Sequence, residues 1–216
     1  MVQQYKYENM FRNDFSLRMK KEIKQSMDIA LEAYTQFTVE NRELLSYPKK
    51  ASVLGRWRTY MIERQIYNRA FRPNTEYSVR LQETNNFGDK AIFLETANFS
   101  GNIARTLKPM TLPAKSAYKL KEAKKNAESD TQLELDFENK DGKILLPQYM
   151  IITYGFNKLS SKLTHIMYLI PDYRMEKILF HEDGMLIPEE VPSYTYEEKE
   201  ESIVRLKEDL KKKIEE

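Results

Sequence analysis

Apolar side chains recur at three- and four-residue spacing over residues 14–38. Phe15, Met19, Ile23, Met27, Ala30, Leu31, Tyr34 and Phe37 mark one face, and Lys20, Lys21, Glu22, Lys24 and Gln25 fall between them. That period predicts a long amphipathic helix, with Asn13 or Asp14 at its start as a cap. Pro48 breaks the chain, and a second helix is predicted over 52–71, ended by Pro73. The period then changes. Residues 76–83 and 90–97 are short β-branched and aromatic runs separated by Asn85, Asn86, Gly88 and Asp89, which predicts a hairpin. Residues 98–113, with Gly101, Pro109 and Pro113, read as irregular, and a Lys- and Ala-rich helix follows over 114–127. Residues 147–156 and 162–171 form a second hairpin pattern, and 173–182 alternates well enough for a further strand. Thr195 followed by Glu198 is a capping box, announcing a last helix with the stripe Ile203, Leu206, Leu210 and Ile214.

Strands grouped in hairpins, without strand–helix alternation, predict an α+β protein with two N-terminal helices, an antiparallel sheet of about five strands and a C-terminal helix. The regions are 1–73 (helical), 74–194 (sheet, with an inserted helix and a charged connector at 119–143) and 195–216 (helix), together expected to form one compact domain. The narrow apolar stripe of the last helix is expected to dock on its own chain, giving a monomer.

Composition narrows the function. The chain has 216 residues, 41% of them hydrophobic and 31% charged, with a net charge of +2, so no global basic excess marks a nucleic-acid binder. With no cysteine, disulfides and thiolate metal sites are excluded. The N-terminal stretch lacks the apolar segment of a signal peptide and no apolar run approaches a membrane span, so no membrane role and a cytoplasmic location are expected. The six glycines are not clustered into a phosphate loop, and no nucleophile elbow is present. His165 and His181 lack the spacing of a metal pair and read as ordinary strand residues. Glu83, Asp89 and Glu95 sit near one hairpin, the minimum for a metal-dependent nuclease, but without a Glu-x-Lys pairing. No catalytic residue, metal ligand or cofactor is therefore assigned.

Local charge is more informative. Residues 49–72 carry Lys49, Lys50, Arg56, Arg58, Arg64, Arg69 and Arg72 against one acid, Glu63, with Trp57, Tyr60 and Tyr67 interleaved. Residues 105–125 repeat the bias with Arg105, Lys108, Lys115, Lys119, Lys121, Lys124 and Lys125 against Glu122. Arginine meets phosphates and aromatic rings stack on bases, so Arg56, Trp57, Arg58, Arg64, Lys119, Lys121, Lys124 and Lys125 are the candidate nucleic-acid contacts. A plain solvated surface gives the same pattern.

The connector holds Gln132-Leu133-Glu134-Leu135-Asp136-Phe137. This stretch resembles the hexapeptide by which bacterial replication and repair proteins bind the β sliding clamp. Gln132, Leu133, Leu135 and Phe137 fall on its anchor positions. The resemblance implies an extended peptide whose glutamine enters a polar subsite and whose apolar residues fill a greasy pocket. An alternating core strand would show the same spacing. Residues 52–71 with the following hairpin, and the runs 149–157 and 163–172, resemble small proteins of phages and mobile elements in Gram-positive bacteria, a resemblance that implies no activity. The expectation is a non-enzymatic, DNA-associated accessory protein tethered to the clamp. The alternatives are a protein-interaction module or inhibitor of a host factor without DNA contact, and a metal-dependent nuclease.

Overall fold

A computed structural model describes residues 2–43, 50–85, 89–135, 147–157, 162–188 and 194–215. The fold is α+β, with helices α1 (Val2–Asp14), α2 (Leu17–Glu40), α3 (Lys50–Ala70), α4 (Ala117–Leu135) and α5 (Tyr196–Glu215). The strands are β1 (Ser78–Glu83), β2 (Lys90–Glu95), β3 (Phe99–Arg105), β4 (Gln148–Phe156), β5 (Leu163–Pro171) and β6 (Ile178–Asp183). The chain divides into two compact units: residues 1–16, 76–155 and 165–186, and residues 17–75, 156–164 and 187–216.

The first unit holds the sheet, whose strand order follows the chain, β1-β2-β3-β4-β5-β6. β1–β2, β2–β3 and β5–β6 are antiparallel, whereas β3 and β4 run parallel, Phe99 opposite Gln148 and Arg105 opposite Tyr154. The expected all-antiparallel sheet of about five strands is thus a mixed sheet of six. The added strand, β3, lies in the stretch expected to be irregular. Its residues Phe99 to Ile103 are all buried, because β3 sits between two neighbours with both faces covered, and alternation disappears in such a strand. Gly101 belongs to this packing: a Cβ there would stand 3.1 Å from Met150 Cε. Gly184, just past β6, is tighter still, since a Cβ would lie 2.8 Å from Ile166 Cγ2 and Tyr168 Cε2.

The predicted helix over 14–38 is broken at its start. Phe15 and Ser16 are non-helical and join α1 to α2. The Asp14 carboxylate is not a helix cap. It accepts from Thr96 Oγ1 (2.6 Å), Asn98 N (2.7 Å) and Asn98 Nδ2 (2.7 Å), fastening the end of α1 to the β2–β3 turn. α1 itself was not legible from its polar composition, yet it contributes Tyr7 and Phe11 to the core. Phe11 stacks on Phe15 at 4.5 Å and meets Tyr168 and Phe180 at 5.2 and 5.4 Å. A strand expected over 173–182 begins only at Ile178, because Asp172 accepts from the backbone N–H groups of Glu176 and Lys177 and closes a turn, with Met175 at φ 53°.

α4 packs on the sheet through Ala123, Tyr118 and Leu120, against Ala91, Phe93, Tyr149 and Ile151. It runs to Leu135 rather than ending at 127. Asn126, 1% exposed, faces the sheet and bonds three backbone groups: Nδ2 donates to Tyr149 O (3.1 Å) and Pro171 O (2.6 Å), and Oδ1 accepts from Tyr149 N (2.8 Å). Buried polar side chains continue beside it. Tyr149 Oη donates to Asn102 Oδ1 at 2.6 Å, and Gln82 Nε2 donates to the buried Glu122 carboxylate at 3.1 Å.

The second unit is helical. α2 buries Met19, Ile23, Met27, Ala30, Leu31, Tyr34 and Phe37, and α3 buries Met61, Ile62 and Ile66. α5 buries Ile203, Leu206 and Leu210, docking on its own chain against α2 and α3, while Ile214 at the stripe's end is 43% exposed. The capping box forms: Thr195 N donates to Glu198 Oε2 (2.9 Å) and Glu198 N to Thr195 Oγ1 (3.2 Å). The bond that the Glu198 carboxylate accepts from Thr195 N–H, with Arg72 and Arg69 nearby, holds that carboxyl below its usual range. No helix among the described residues is long and apolar enough to cross a membrane.

Candidate nucleic-acid interface

The basic segment expected around 49–72 lies on α3, where a helical period of 3.6 sends its cations to different places. Trp57 packs edge-on to Phe37 with centroids 5.9 Å apart. The Arg58 guanidinium lies 4.4 Å from the Tyr34 ring centroid and 3.9 Å from that of Phe156. Those two expected nucleic-acid contacts are thus partly buried against rings of the helical unit. Arg56 is exposed at the start of the helix. Lys49 lies outside the described residues.

One turn and more further along, the character changes. Arg64, Tyr67, Asn68, Phe71, Arg72 and Arg205 line an open cleft of about 400 Å³. Arg72 and Arg205 also line a second, of about 660 Å³, together with Arg18, Arg69, Pro73, Asn74, Glu198 and Glu201. The spacing explains the first cleft. Arg64 and Tyr67, three residues apart, share one side of α3, Phe71 follows four residues on just past its end, and α5 adds Arg205. Arg64 Nε donates to Asp209 at 2.8 Å, and that bond raises the pKa of the guanidinium. Arg72 reaches Glu198 at 3.1 Å and the largely exposed Glu201 at 3.6 Å. Arg205 is exposed and makes no ion pair among the described residues.

Beneath the clefts lies a buried ion pair. Arg69 Nη2 donates to Glu22 Oε1 at 2.7 Å, with side-chain exposures of 10% and 4%. Arg69 also covers the Tyr194 ring at 4.6 Å, and Arg18 meets Glu22 at 3.3 Å. This pair fixes the floor from which Arg72 and Arg205 project.

Comparison with models of protein families, with curated proteins and with solved structures returned no match. The chemistry of the site must therefore be read from its geometry. Guanidinium groups beside aromatic faces, open to solvent, suit a phosphate-bearing polymer with planar bases. The sequence pointed to Arg64 and to the basic cluster holding Arg69 and Arg72. It gave no sign of Arg18, Phe71 or Arg205, because they join the cleft only through helix packing.

Glu63, the lone acid of the segment, is half-buried, and burial pushes its carboxyl up to about 7. Its folded-state pKa lies above the unfolded one, so the folded chain holds the proton more tightly. Stability should fall as pH rises from 4.5 to 7 and level off above. Glu63→Gln should remove that slope and gain about 3 kcal/mol at pH 8 but nothing below pH 4. Urea titrations of both proteins at the two pH values measure the difference, and a parallel pH dependence would refute the assignment.

The second basic segment belongs to the sheet unit. Lys121 and Lys124 are exposed on α4, Lys125 pairs with Glu122 at 2.5 Å, and Lys119 donates to Ala114 O at 3.2 Å with its pKa lowered by burial. Around it, Leu107 and Met110 are exposed in the loop after β3. Of the hexapeptide, Gln132, Leu133 and Leu135 lie in the final turn of α4, and Asp136 and Phe137 fall outside the described residues. His165 Nε2 bonds Thr106 Oγ1 at 2.9 Å, with its pKa lowered by burial against the opposing charge of Asp183, while His181 is exposed. Of the hairpin carboxylates, Glu95 receives Arg80 Nε at 2.7 Å and Asp89 receives Asn85 Nδ2 at 2.7 Å. Among the described residues no three His, Asp or Glu side chains converge to hold a metal ion.

Proposed function

We propose that this protein is a non-enzymatic, DNA-associated accessory protein that meets phosphates through the arginine-lined clefts of its helical unit. One observation carries the reading: Arg64, Arg72 and Arg205 line one cleft with the half-buried Tyr67 and the exposed Phe71. Arg72 divides its charge between Glu198 at 3.1 Å and the more loosely held Glu201. Glu201 is 69% exposed at 3.6 Å, and such a surface pair is worth about 1 kcal/mol or less, so a phosphate displaces it at small cost. Binding should weaken steeply with salt. Replacing Arg72 and Arg205 by Gln should lower the log–log salt slope by about 1.5 units, since each lost phosphate contact accounts for roughly one on duplex and less on single strands. Absence of binding at 50 mM salt would remove DNA from the account.

The sliding-clamp tether rests on the hexapeptide. Because α4 extends through Leu135, the last helical turn must unwind to present 132–135 as an extended peptide, at about 1–2 kcal/mol per residue for backbone ordering in the new form. Affinity should therefore be moderate. Leu135→Ala with Phe137→Ala should abolish capture of a purified clamp while DNA affinity stays unchanged. Equal capture by the double variant would end the tether. The exposed Leu107 and Met110 favour the second reading, a protein-interaction module, and that reading predicts partner binding insensitive to Arg72 and Arg205.

A further inference from the structure

We infer that the Tyr67–Phe71 pair makes the first cleft a site for single-stranded rather than duplex nucleic acid, an inference that rests on the phosphate-binding reading above. Phe71 is 68% exposed just past the end of α3. Its ring lies 4.9 Å from that of Tyr67 at an interplanar angle of 55°, so the half-buried Tyr67 backs the exposed Phe71 ring in a tilted pair. The Arg64 guanidinium stands 5.6 Å from the Tyr67 centroid on the same helix side. Arg72 and Arg205 line the cleft beside the platform and continue into the second, where Pro73 and Asn74 follow. Cations in a track with an aromatic step beside them match a strand whose phosphates run along one side and whose bases turn to the other.

The choice between the two forms of nucleic acid follows from what each offers an aromatic ring. In a duplex, base faces are hidden within the stack, and a ring outside it reaches only sugars and phosphates. In an unpaired strand each base has a free face, whatever its identity, so a ring platform gains stacking without reading sequence. Phosphate contacts alone favour duplex, with its denser charge. Phe71 is thus the residue that reverses the preference.

The test uses the full chain and two fluorescent probes of equal length, an oligothymidine strand and a duplex, in anisotropy titrations at 50 mM salt. The single strand should bind about tenfold more tightly than the duplex. Phe71→Ala should lower single-strand affinity about tenfold and leave the duplex unchanged, and Phe71→Trp should keep the wild-type preference. Since Phe71 is exposed, the variants should melt with the wild type, which a thermal scan verifies. Duplex bound as tightly as single strand, or a single-strand affinity indifferent to Phe71→Ala, would overturn the stacking inference while leaving phosphate binding in place. Failure to bind either probe would overturn both.

Discussion

Replacing Asn126 by Ala should cost about 3–9 kcal/mol, the sum of about 1–3 kcal/mol for each of three buried polar groups left without its partner. The substitution strands Tyr149 N, Tyr149 O and Pro171 O, all of which the carboxamide serves from α4. A whole domain is held together by about 5–15 kcal/mol, so the urea midpoint should move far enough to measure without ambiguity. Charge and shape can be separated by a second variant. Asn126→Asp keeps the volume and one acceptor but loses both donors, and it should be no better than Ala. A cost below about 1 kcal/mol for Asn126→Ala would mean that the sheet closes without this anchor.

Glu22→Ala should be nearly as damaging, at about 3–5 kcal/mol, because it leaves a guanidinium buried without its counter-charge. Arg69 is 10% exposed in its side chain, and its remaining acid, Glu198, stands at 3.9 Å. The loss should persist at high salt, since a buried pair is little screened. Exchanging both partners, Glu22→Leu with Arg69→Met, should recover most of the stability, because the large cost arises from the orphaned charge rather than from the pair's own net attraction. Thermal unfolding of the single and double variants decides this. A double variant as unstable as Glu22→Ala would show that the pair itself, and not merely its completeness, stabilises the helices.

Much of this fold could be read from the chain, and the places where it could not have physical causes. α2, α3 and α5 declared themselves because each is half-buried, and half-burial writes its period into the sequence. The stripe Ile203, Leu206 and Leu210 and the box Thr195–Glu198 are where local pattern and tertiary structure agree. β3 was illegible for the opposite reason: a strand covered on both faces has no alternation, and Gly101 and Asn102 look like turn residues until Met150 and Tyr149 are set against them. α1 hides its two buried anchors, Tyr7 and Phe11, in a polar helix. The parallel pairing of β3 with β4 has no signature in either strand alone. The candidate interface divides the same way. Arg64, singled out by composition, lines the cleft, while Trp57 and Arg58, equally basic-aromatic in sequence, lie against Phe37, Tyr34 and Phe156 because the helix carries them round. Arg205 arrives from more than a hundred residues away, which no local pattern records.

The parallel seam has a kinetic meaning. Within the β2–β3 hairpin, Glu95 finds Ser100 after a very short excursion, whereas Phe99 meets Gln148 only when nearly fifty residues have been closed into a loop. Loop-closure entropy rises with the logarithm of length, so the tenfold longer closure adds about 2 kcal/mol before a single seam bond is gained. Each three-stranded half of the sheet can assemble from neighbours in sequence, and the joining of the halves is the late and expensive event. Asn126 sits where that expense falls, gripping β4 at the residue next to the first seam pair. In stopped-flow kinetics its loss should therefore appear as faster unfolding with little change in the folding rate, the mark of a clasp that shuts after the transition state.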